Sequence, residues 1–232
     1  MNFTDFKREI SGGKCSGIYL FEGEESFFKR CGLNLLKDKF LSEPELNYAE
    51  FGEDASCDEI LASAESVPFL GEKRITVARE FYPDKTALKG RFGKFLENPS
   101  EVGILVILND KPNEPLKKFS GVTVVSCAKA DLSYIVNFIK TECENAGVAI
   151  ERETAALLAE YCLSDMTRVE TETQKLISYA FHEKKITAED VTEMVWRDSE
   201  YKIYEMTDYI GKRQFGKALT VLTELKSKGE TS

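Results

Sequence analysis

The amino-acid sequence predicts an α/β domain built on a mainly parallel sheet, followed by a region that is helical. In the first half of the chain, short apolar runs alternate with segments of helical apolar spacing, a pattern typical of βα units. Parallel strands need crossover helices, so five such runs predict a sheet covered by helices on both faces. After residue 130 no β-branched run persists and the apolar spacing becomes helical, which predicts a change of class.

The predicted strands are five short apolar runs. They occupy residues 18–21, 46–51, 74–78, 102–108 and 122–126. Helices are predicted between them at residues 24–40, 59–65 and 88–96. The second of these helices begins at a capping box, because Ser56 and Glu59 have the Ser-x-x-Glu spacing. That helix must end before Pro68, since proline cannot continue it.

The second half of the chain carries helix signals. Apolar residues recur at helical spacing, as at Met166 and Val169. Asp165 stands where a helix N-cap is expected, and Thr187 with Asp190 forms a capping-box-like start to a further helix. A small helical domain is therefore predicted after the sheet.

These patterns divide the chain into three predicted domains. Residues 1–128 form the α/β domain, residues 129–197 form a small helical domain, and residues 198–232 form the first helices of a third domain. The last segment carries two amphipathic helices, and two helices alone bury little apolar surface. We therefore expect that most of the third domain is absent from this chain.

Composition limits the classes of function. Forty acidic and 31 basic residues give a net charge of -9, and negative charge opposes the phosphate attraction that dominates nucleic-acid affinity. Direct binding of nucleic acid through Lys111, Lys117 and Lys118 is thus a minor alternative. No apolar run approaches the roughly 18 residues that cross a bilayer, and the N-terminus lacks the features of a signal peptide. A cytoplasmic protein with no membrane partner is expected.

The turn after the first predicted strand is where a phosphate-binding loop would lie in such a domain. Residues 22–26 read Glu-Gly-Glu-Glu-Ser, without the Gly-x-x-x-x-Gly-Lys-Ser/Thr pattern and with three carboxylates that repel a triphosphate. Residues 12–14 resemble a fragment of that loop, but they precede the strand, and a flexible lead-in is the better interpretation. We predict no nucleotide or other cofactor.

Side chains for catalysis or metal binding are not clustered in the sequence. The six cysteines form no Cys-x-x-Cys pair, so neither a zinc site nor a redox site is encoded, and reduced, buried thiols are expected. His182 is the single histidine and has no second histidine or cysteine pair beside it. We predict no metal site and no catalytic residue.

One apolar turn interrupts this ordinary pattern between the second predicted helix and the third strand. Val67, Phe69 and Leu70 stand there with Pro68, which ends the helix, and Gly71, which lets the chain turn again. Phe69 and Leu70 are adjacent and cannot easily both point inward. Two interpretations of these side chains remain open: they are an exposed anchor for a partner, or they cap the core where helix meets strand. Periodicity alone favours the cap.

Several segments, in their order and spacing, resemble the delta subunit of the bacterial DNA polymerase III clamp loader. They extend along nearly the whole chain, at residues 19–25, 67–77, 99–109, 147–150, 172–176, 186–191 and 204–225. The resemblance implies a degenerate ATPase-like domain of the AAA+ type without a functional phosphate loop. A small lid-like helical domain and an incomplete collar domain are implied after it.

The resemblance also implies a function in DNA replication. A delta subunit of this family binds the beta sliding clamp through a hydrophobic wedge and opens the ring for loading onto primed DNA. It has no catalytic site and is an accessory subunit of the DNA polymerase III holoenzyme, a DNA-directed DNA polymerase. Val67, Phe69 and Leu70 match the inserted side chains, with Pro68 and Gly71 supporting the turn.

The implied partners are the beta sliding clamp and the other loader subunits, gamma/tau and delta prime. DNA is implied only as part of the assembled loader, in which neighbouring subunits bind ATP. The alternative is a paralogous clamp-loader-type ATPase subunit. Such a subunit needs an intact phosphate loop and usually a zinc-binding cysteine cluster, and this sequence has neither pattern.

Overall fold

The computed structural model describes residues 1–196 and 199–227. The chain divides into two compact units, Met1–Lys129 and Ala130–Ser232. The predicted boundary between the second and third domains falls at residues 197 and 198, which lie outside the described residues, as do residues 228–232. The division into three domains therefore stays a prediction.

The first unit contains a parallel sheet of five strands, which confirms the predicted α/β fold. The strands are β1 (Ile18–Glu22), β2 (Tyr48–Phe51), β3 (Arg74–Arg79), β4 (Gly103–Asn109) and β5 (Val122–Ser126). Their order in the sheet is β2-β3-β4-β1-β5, and every neighbouring pair is parallel. Strand β4 is buried along its whole length, as its continuous apolar run predicts.

Six helices accompany this sheet. They are α1 (Phe3–Ser11), α2 (Ser26–Phe40), α3 (Pro44–Asn47), α4 (Cys57–Ala64), α5 (Lys85–Lys89) and α6 (Arg91–Glu97). A short 3-10 helix at Leu116–Lys118 precedes β5. The predicted helix at 88–96 is in fact two helices, because Gly90 adopts an extended conformation that ends α5 and begins α6.

The two faces of the sheet bury different side chains because successive residues of a strand point to opposite faces. Ile18 and Leu20 of β1 join the cluster that includes Ile60 and Leu61 of α4. Tyr19 and Phe21 belong to an aromatic cluster on the other face, together with Phe3, Phe6 and Phe28. Helices therefore cover the sheet on both sides, as predicted.

The first unit departs from the sequence predictions at two places. Helix α1, whose residues Phe3, Phe6 and Ile10 are buried, was not predicted, and residues 12–14 lie between it and β1. Leu46 and Asn47 belong to α3 rather than to β2, because Pro44 lies at the first position of a helix, where its fixed φ is favourable. This second correction places Asn47 at the amino end of the sheet.

The second unit is mainly helical, as predicted. Its elements are α7 (Leu132–Asn145), β6 (Ala149–Ile150), α8 (Arg152–Tyr161), α9 (Met166–Tyr179), β7 (Lys185–Ile186), α10 (Ala188–Met194), α11 (Ser199–Gly211) and α12 (Phe215–Ser227). Asp165 caps α9, and Thr187 and Asp190 form the predicted capping box of α10. The two-residue parallel pair of β6 with β7 is a feature that the sequence did not predict.

Helices long and apolar enough to cross a membrane do not occur in residues 1–196 and 199–227. The six cysteines all lie within the described residues and form no disulfide bond. Cys127, Cys143 and Cys162 are buried as expected, and burial raises the pKa of the Cys127 thiol to about 12. The other three cysteines are only half-buried, so the expectation of buried thiols is wrong for them.

Candidate functional site

The apolar turn, residues 67–71, projects its large side chains into solvent. Val67 is 80% exposed, Phe69 is 61% exposed and Leu70 is 78% exposed. Pro68 and Gly71 are half-buried beneath them. These three apolar residues therefore do not cap the core, which is the alternative that periodicity favoured. They form an exposed apolar cluster at the amino end of β3.

Helix α4 leads the chain into this turn. The Ser56 side chain accepts from the Glu59 backbone N–H, and the Glu59 carboxylate accepts from the Ser56 backbone N–H at 2.9 Å. Ser63 and Thr76 share a buried hydrogen bond of 2.9 Å, which joins α4 to β3. The end of α4 is thus fixed against the sheet, and Pro68 follows as the sequence predicts.

Leu70 has a backbone conformation that is unusual for its residue type. Its φ is +52°, in the left-handed region, where the Cβ of an L-residue approaches the following carbonyl oxygen. The sequence assigned the change of direction to Gly71, but Gly71 is not among the residues of positive φ. Glycine is needed there for space instead, because an added Cβ would lie 2.4 Å from Ser42 Oγ and 3.0 Å from Asn47 Nδ2.

Asn47 is a residue of this site that sequence reasoning missed. Its side chain is fully buried, and its Oδ1 accepts from the Phe69 N–H at 2.7 Å. Its Nδ2 donates to Phe69 O at 2.8 Å and to Ser42 O at 2.9 Å. We call the two bonds to Phe69 the Asn47 bridge. An asparagine inside a predicted strand is unusual, and that signal could have identified it.

The chain after the turn is also held by hydrogen bonds. Lys73 forms an isolated parallel bridge with Leu41, and its Nζ donates to the backbone carbonyl of Glu101. Arg74 Nη1 donates to Leu46 O at 2.7 Å. A cavity of about 230 Å³ lies beside the turn, and its lining includes Phe40 and Leu41. Both ends of the apolar turn are therefore attached while its side chains remain exposed.

Comparison with known proteins identifies similar chains. No family model matches the sequence. The DNA polymerase III subunit delta of Bacillus subtilis is 23% identical, and the match covers 97% of this chain and 70% of that protein. The probable DNA polymerase III subunit delta of Aquifex aeolicus is 26% identical, over 91% of this chain and 64% of that protein. The chain is similar to DNA polymerase III delta subunits.

Solved structures agree with this result at the level of fold. The Bacillus subtilis DNA clamp loader delta protein matches 99% of this chain and 73% of its own, with a TM-score of 0.72 and 19% identity. A Thermotoga maritima RuvB, described as a Holliday junction branch migration motor, matches 90% of this chain with a TM-score of 0.51 and 11% identity. The first unit thus has the ATPase-like fold that the sequence predicted.

The turn after β1 is held by hydrogen bonds to backbone carbonyl groups and is not open to a phosphate. Gly23 N donates to Asn109 O at 3.2 Å, and Glu25 N donates to Cys127 O at 2.9 Å. Gly23 has a φ of +138°, and an added Cβ would lie 2.3 Å from Cys127 O. Backbone amides that would contact phosphates in a phosphate-binding loop therefore already have carbonyl partners.

The charged groups of the same turn are paired with one another. The Glu22 carboxylate accepts from the Asn113 N–H at 2.7 Å and from Lys117 Nζ at 2.7 Å. Hydrogen bonds to Glu114 and Glu22 raise the pKa of Lys117. Buried Lys29 is paired with Asp110. These two lysines are thus occupied by carboxylates of the chain itself.

The predicted site residues fall into one surface of the first unit. Val67, Phe69 and Leu70 are exposed within one turn, next to the half-buried Pro68 and Gly71, and their role in binding stays a prediction. Over residues 1–196 and 199–227, no group of three or more His, Cys, Asp or Glu side chains is arranged to hold a metal ion. The apolar turn is therefore the candidate functional site.

Proposed function

We propose that this chain is a clamp-loader delta subunit, which binds the beta sliding clamp through Val67, Phe69 and Leu70 and opens the ring during replication. The observation that carries the proposal is the exposure of these three apolar side chains on a backbone that is fixed on both sides. The similarity to delta subunits over most of the chain supports the choice of partner.

The energy of docking comes from the apolar area of the turn. Burying one side chain of this size in an apolar pocket contributes about 1.5 to 3 kcal/mol. Because the turn is already ordered, little of that gain is lost to ordering it. Phe69 and Leu70 are adjacent and both exposed, so they can enter one pocket together. Val67 would then pack at the rim.

Ring opening follows from differential binding rather than from a reaction of this chain. A protein opens a closed ring only when it binds the open state more tightly than the closed one. The apolar turn must therefore make its full contact only when the ring interface is displaced. The loader would be cytoplasmic and would also contain gamma/tau and delta prime subunits. ATP bound by the neighbouring gamma/tau subunits would control access of the clamp to the turn. DNA enters only with the assembled loader.

Binding of the whole chain to a purified beta sliding clamp tests the proposal. A Phe69→Ala, Leu70→Ala double variant is expected to lose at least about 3 kcal/mol of binding free energy, as when hot-spot residues are truncated. That loss is more than a hundredfold in the dissociation constant. The measurement is isothermal titration calorimetry or surface plasmon resonance, with circular dichroism to verify folding.

A matched control is available on α12. Phe215 is 59% exposed and Leu219 is 61% exposed, so the Phe215→Ala, Leu219→Ala variant removes the same residue types from another exposed position. Its affinity for the clamp should equal that of the original chain. A folded Phe69→Ala, Leu70→Ala variant with unchanged affinity would overturn the proposal, as would equal losses in the two double variants.

A further inference from the structure

Two buried asparagines in the first unit make the same pair of hydrogen bonds to a phenylalanine backbone. Asn109 Oδ1 accepts from the Phe81 N–H at 2.9 Å, and Asn109 Nδ2 donates to Phe81 O at 3.0 Å. The Asn47 bridge holds Phe69 in the same way, at 2.7 Å and 2.8 Å. Both asparagines are fully buried. The backbones of two phenylalanine residues are therefore held by the same pair of asparagine hydrogen bonds.

The two phenylalanines differ in where their rings lie. Phe81 is 4% exposed and packs against Phe92 with ring centroids 5.5 Å apart, so holding its backbone directs an apolar ring into the core. Phe69 is 61% exposed. Holding its backbone contributes nothing to burying its ring. The Asn47 bridge therefore fixes the direction of an apolar side chain that the folded unit leaves in solvent.

The surroundings of the bridge favour another arrangement once it is lost. Leu70 is held at a φ of +52°, a strained conformation for an L-residue that persists only where neighbouring contacts determine it. The 230 Å³ cavity beside the turn is lined by Lys39, Phe40, Leu41, Ser42, Glu72 and Lys73, and its apolar contacts are Phe40 and Leu41. Without the bridge, Leu70 can leave the left-handed region and the apolar side chains can turn toward this surface.

We propose that Asn47 is the positioning residue of the apolar turn, and that it keeps Phe69 and Leu70 directed outward before any partner is met. This inference rests on the proposed function for the identity of the partner. When only a fraction of the molecules has the binding-competent conformation, the apparent dissociation constant rises by the inverse of that fraction. Asn47 thus acts on affinity through the conformation of the free chain.

The test compares Asn47→Ala with Asn109→Ala, since each removes one buried asparagine and two equivalent bonds to a phenylalanine. Titration with the beta sliding clamp should show about a tenfold weaker affinity for Asn47→Ala, corresponding to a competent fraction of about one tenth. Its association rate should fall by a similar factor. Asn109→Ala should bind within about twofold of the original chain, even if its melting temperature falls equally.

A second readout needs no partner and does not depend on the proposed function. Backbone amide hydrogen exchange at Phe69 should accelerate in Asn47→Ala and stay slow in Asn109→Ala, because only the first variant removes its acceptor. If Asn47→Ala does not fold, Gly71→Ala replaces it. That variant keeps both asparagines but places a Cβ 3.0 Å from Asn47 Nδ2, and it too should bind more weakly and lose protection at Phe69.

The possible outcomes distinguish the positioning role of Asn47 from the proposed function. Unchanged clamp affinity in Asn47→Ala, while Phe69→Ala, Leu70→Ala loses binding, would overturn the positioning role and leave the proposed function standing. Equal losses of affinity in Asn47→Ala and Asn109→Ala would also overturn it, because they would indicate general destabilisation. Unchanged affinity in Phe69→Ala, Leu70→Ala would overturn the proposed function, and the exchange rate at Phe69 would then decide the role of Asn47 alone.

Discussion

At the scale of single residues, Leu70 and Gly71 have exchanged the roles that their residue types suggest. A glycine would adopt the left-handed conformation without strain, yet the residue of positive φ is Leu70. Gly71 is instead required by the close approach of Ser42 and Asn47. An exposed leucine in a strained conformation does not stabilise the folded chain.

Substitution of Leu70 separates backbone strain from binding. We expect Leu70→Gly to be more stable than Leu70→Ala by about 1 kcal/mol, because glycine relieves the strain that any L-residue has at this φ. The loss of the side chain itself should cost little stability, since Leu70 is 78% exposed. Urea unfolding monitored by circular dichroism measures the difference between the two variants.

Both Leu70 variants should also bind the beta sliding clamp more weakly than the original chain, because both lack the apolar side chain. Free energies of unfolding in the opposite order, with Leu70→Ala the more stable, would show that the backbone at residue 70 is not strained. Retained clamp affinity in both variants would show that Leu70 makes no contact with the partner.

At the scale of secondary-structure elements, α4 is the helix that leads into the apolar turn. The stability of the N-terminal end of α4 depends on the ionisation of Glu59. Hydrogen bonds from the backbone and then the side chain of Ser56 lower the pKa of the Glu59 carboxyl group. Because the pKa in the folded state lies below that in the unfolded state, the charged carboxylate stabilises the fold above the unfolded pKa. This contribution is lost as pH falls through the folded pKa.

The Glu59→Gln variant should therefore be less stable than the original chain at pH 7. The difference should shrink as pH falls below the ordinary glutamate pKa of about 4.3 and disappear once pH is below the lowered pKa of Glu59. Ser56→Ala, which removes the N-cap oxygen, should cost about 1 kcal/mol at pH 7. Thermal unfolding across this pH range measures both effects. Glu53→Gln, at an exposed position before the capping box, is the control and should show no comparable change with pH.

Elements with a strong local sequence signal could be predicted, whereas very short elements could not. The strands were located because apolar runs such as residues 103–109 are continuous, and both capping boxes were found because they depend on spacing alone. The two-residue strands β6 and β7 are too short to show a period of two. Helix α3 is a single turn and gave no periodic signal.

At the scale of the whole α/β unit, the carboxyl end of the sheet is closed by hydrogen bonds, whereas the amino end carries the exposed apolar turn. Open parallel sheets bind ligands at the carboxyl ends of their strands. Here that end is closed by the chain itself, through hydrogen bonds that join Gly23 to Asn109 and Glu25 to Cys127. The apolar turn and Asn47 lie at the amino ends of β3 and β2. The exposed apolar surface is thus at the edge opposite to the usual ligand site.

The sequence predicted the residues of the turn but not how they are held. Periodicity favoured burial, because it considers only spacing along the chain, and the exposure of Phe69 depends on contacts between segments distant in sequence. The bond between Asn47 and Phe69 joins residues 22 positions apart. The position of Leu70 in the left-handed region likewise follows from packing around Gly71 rather than from its residue type.

The closed carboxyl end leads to a prediction about nucleotides. ATP with Mg²⁺ should give no heat of binding in isothermal titration calorimetry, because the amides of Gly23 and Glu25 already donate to carbonyl oxygens. Lys117 is held by Glu22 and cannot approach a phosphate without breaking that pair. An ATPase of known affinity serves as the positive control under the same conditions.

A stoichiometric heat with ATP would contradict this prediction and favour the paralogous ATPase subunit, since the turn after β1 would then have to open and free its amides. Failure to bind ATP would agree with the proposed function, in which the energy for ring opening comes from contact with the clamp and from the neighbouring subunits.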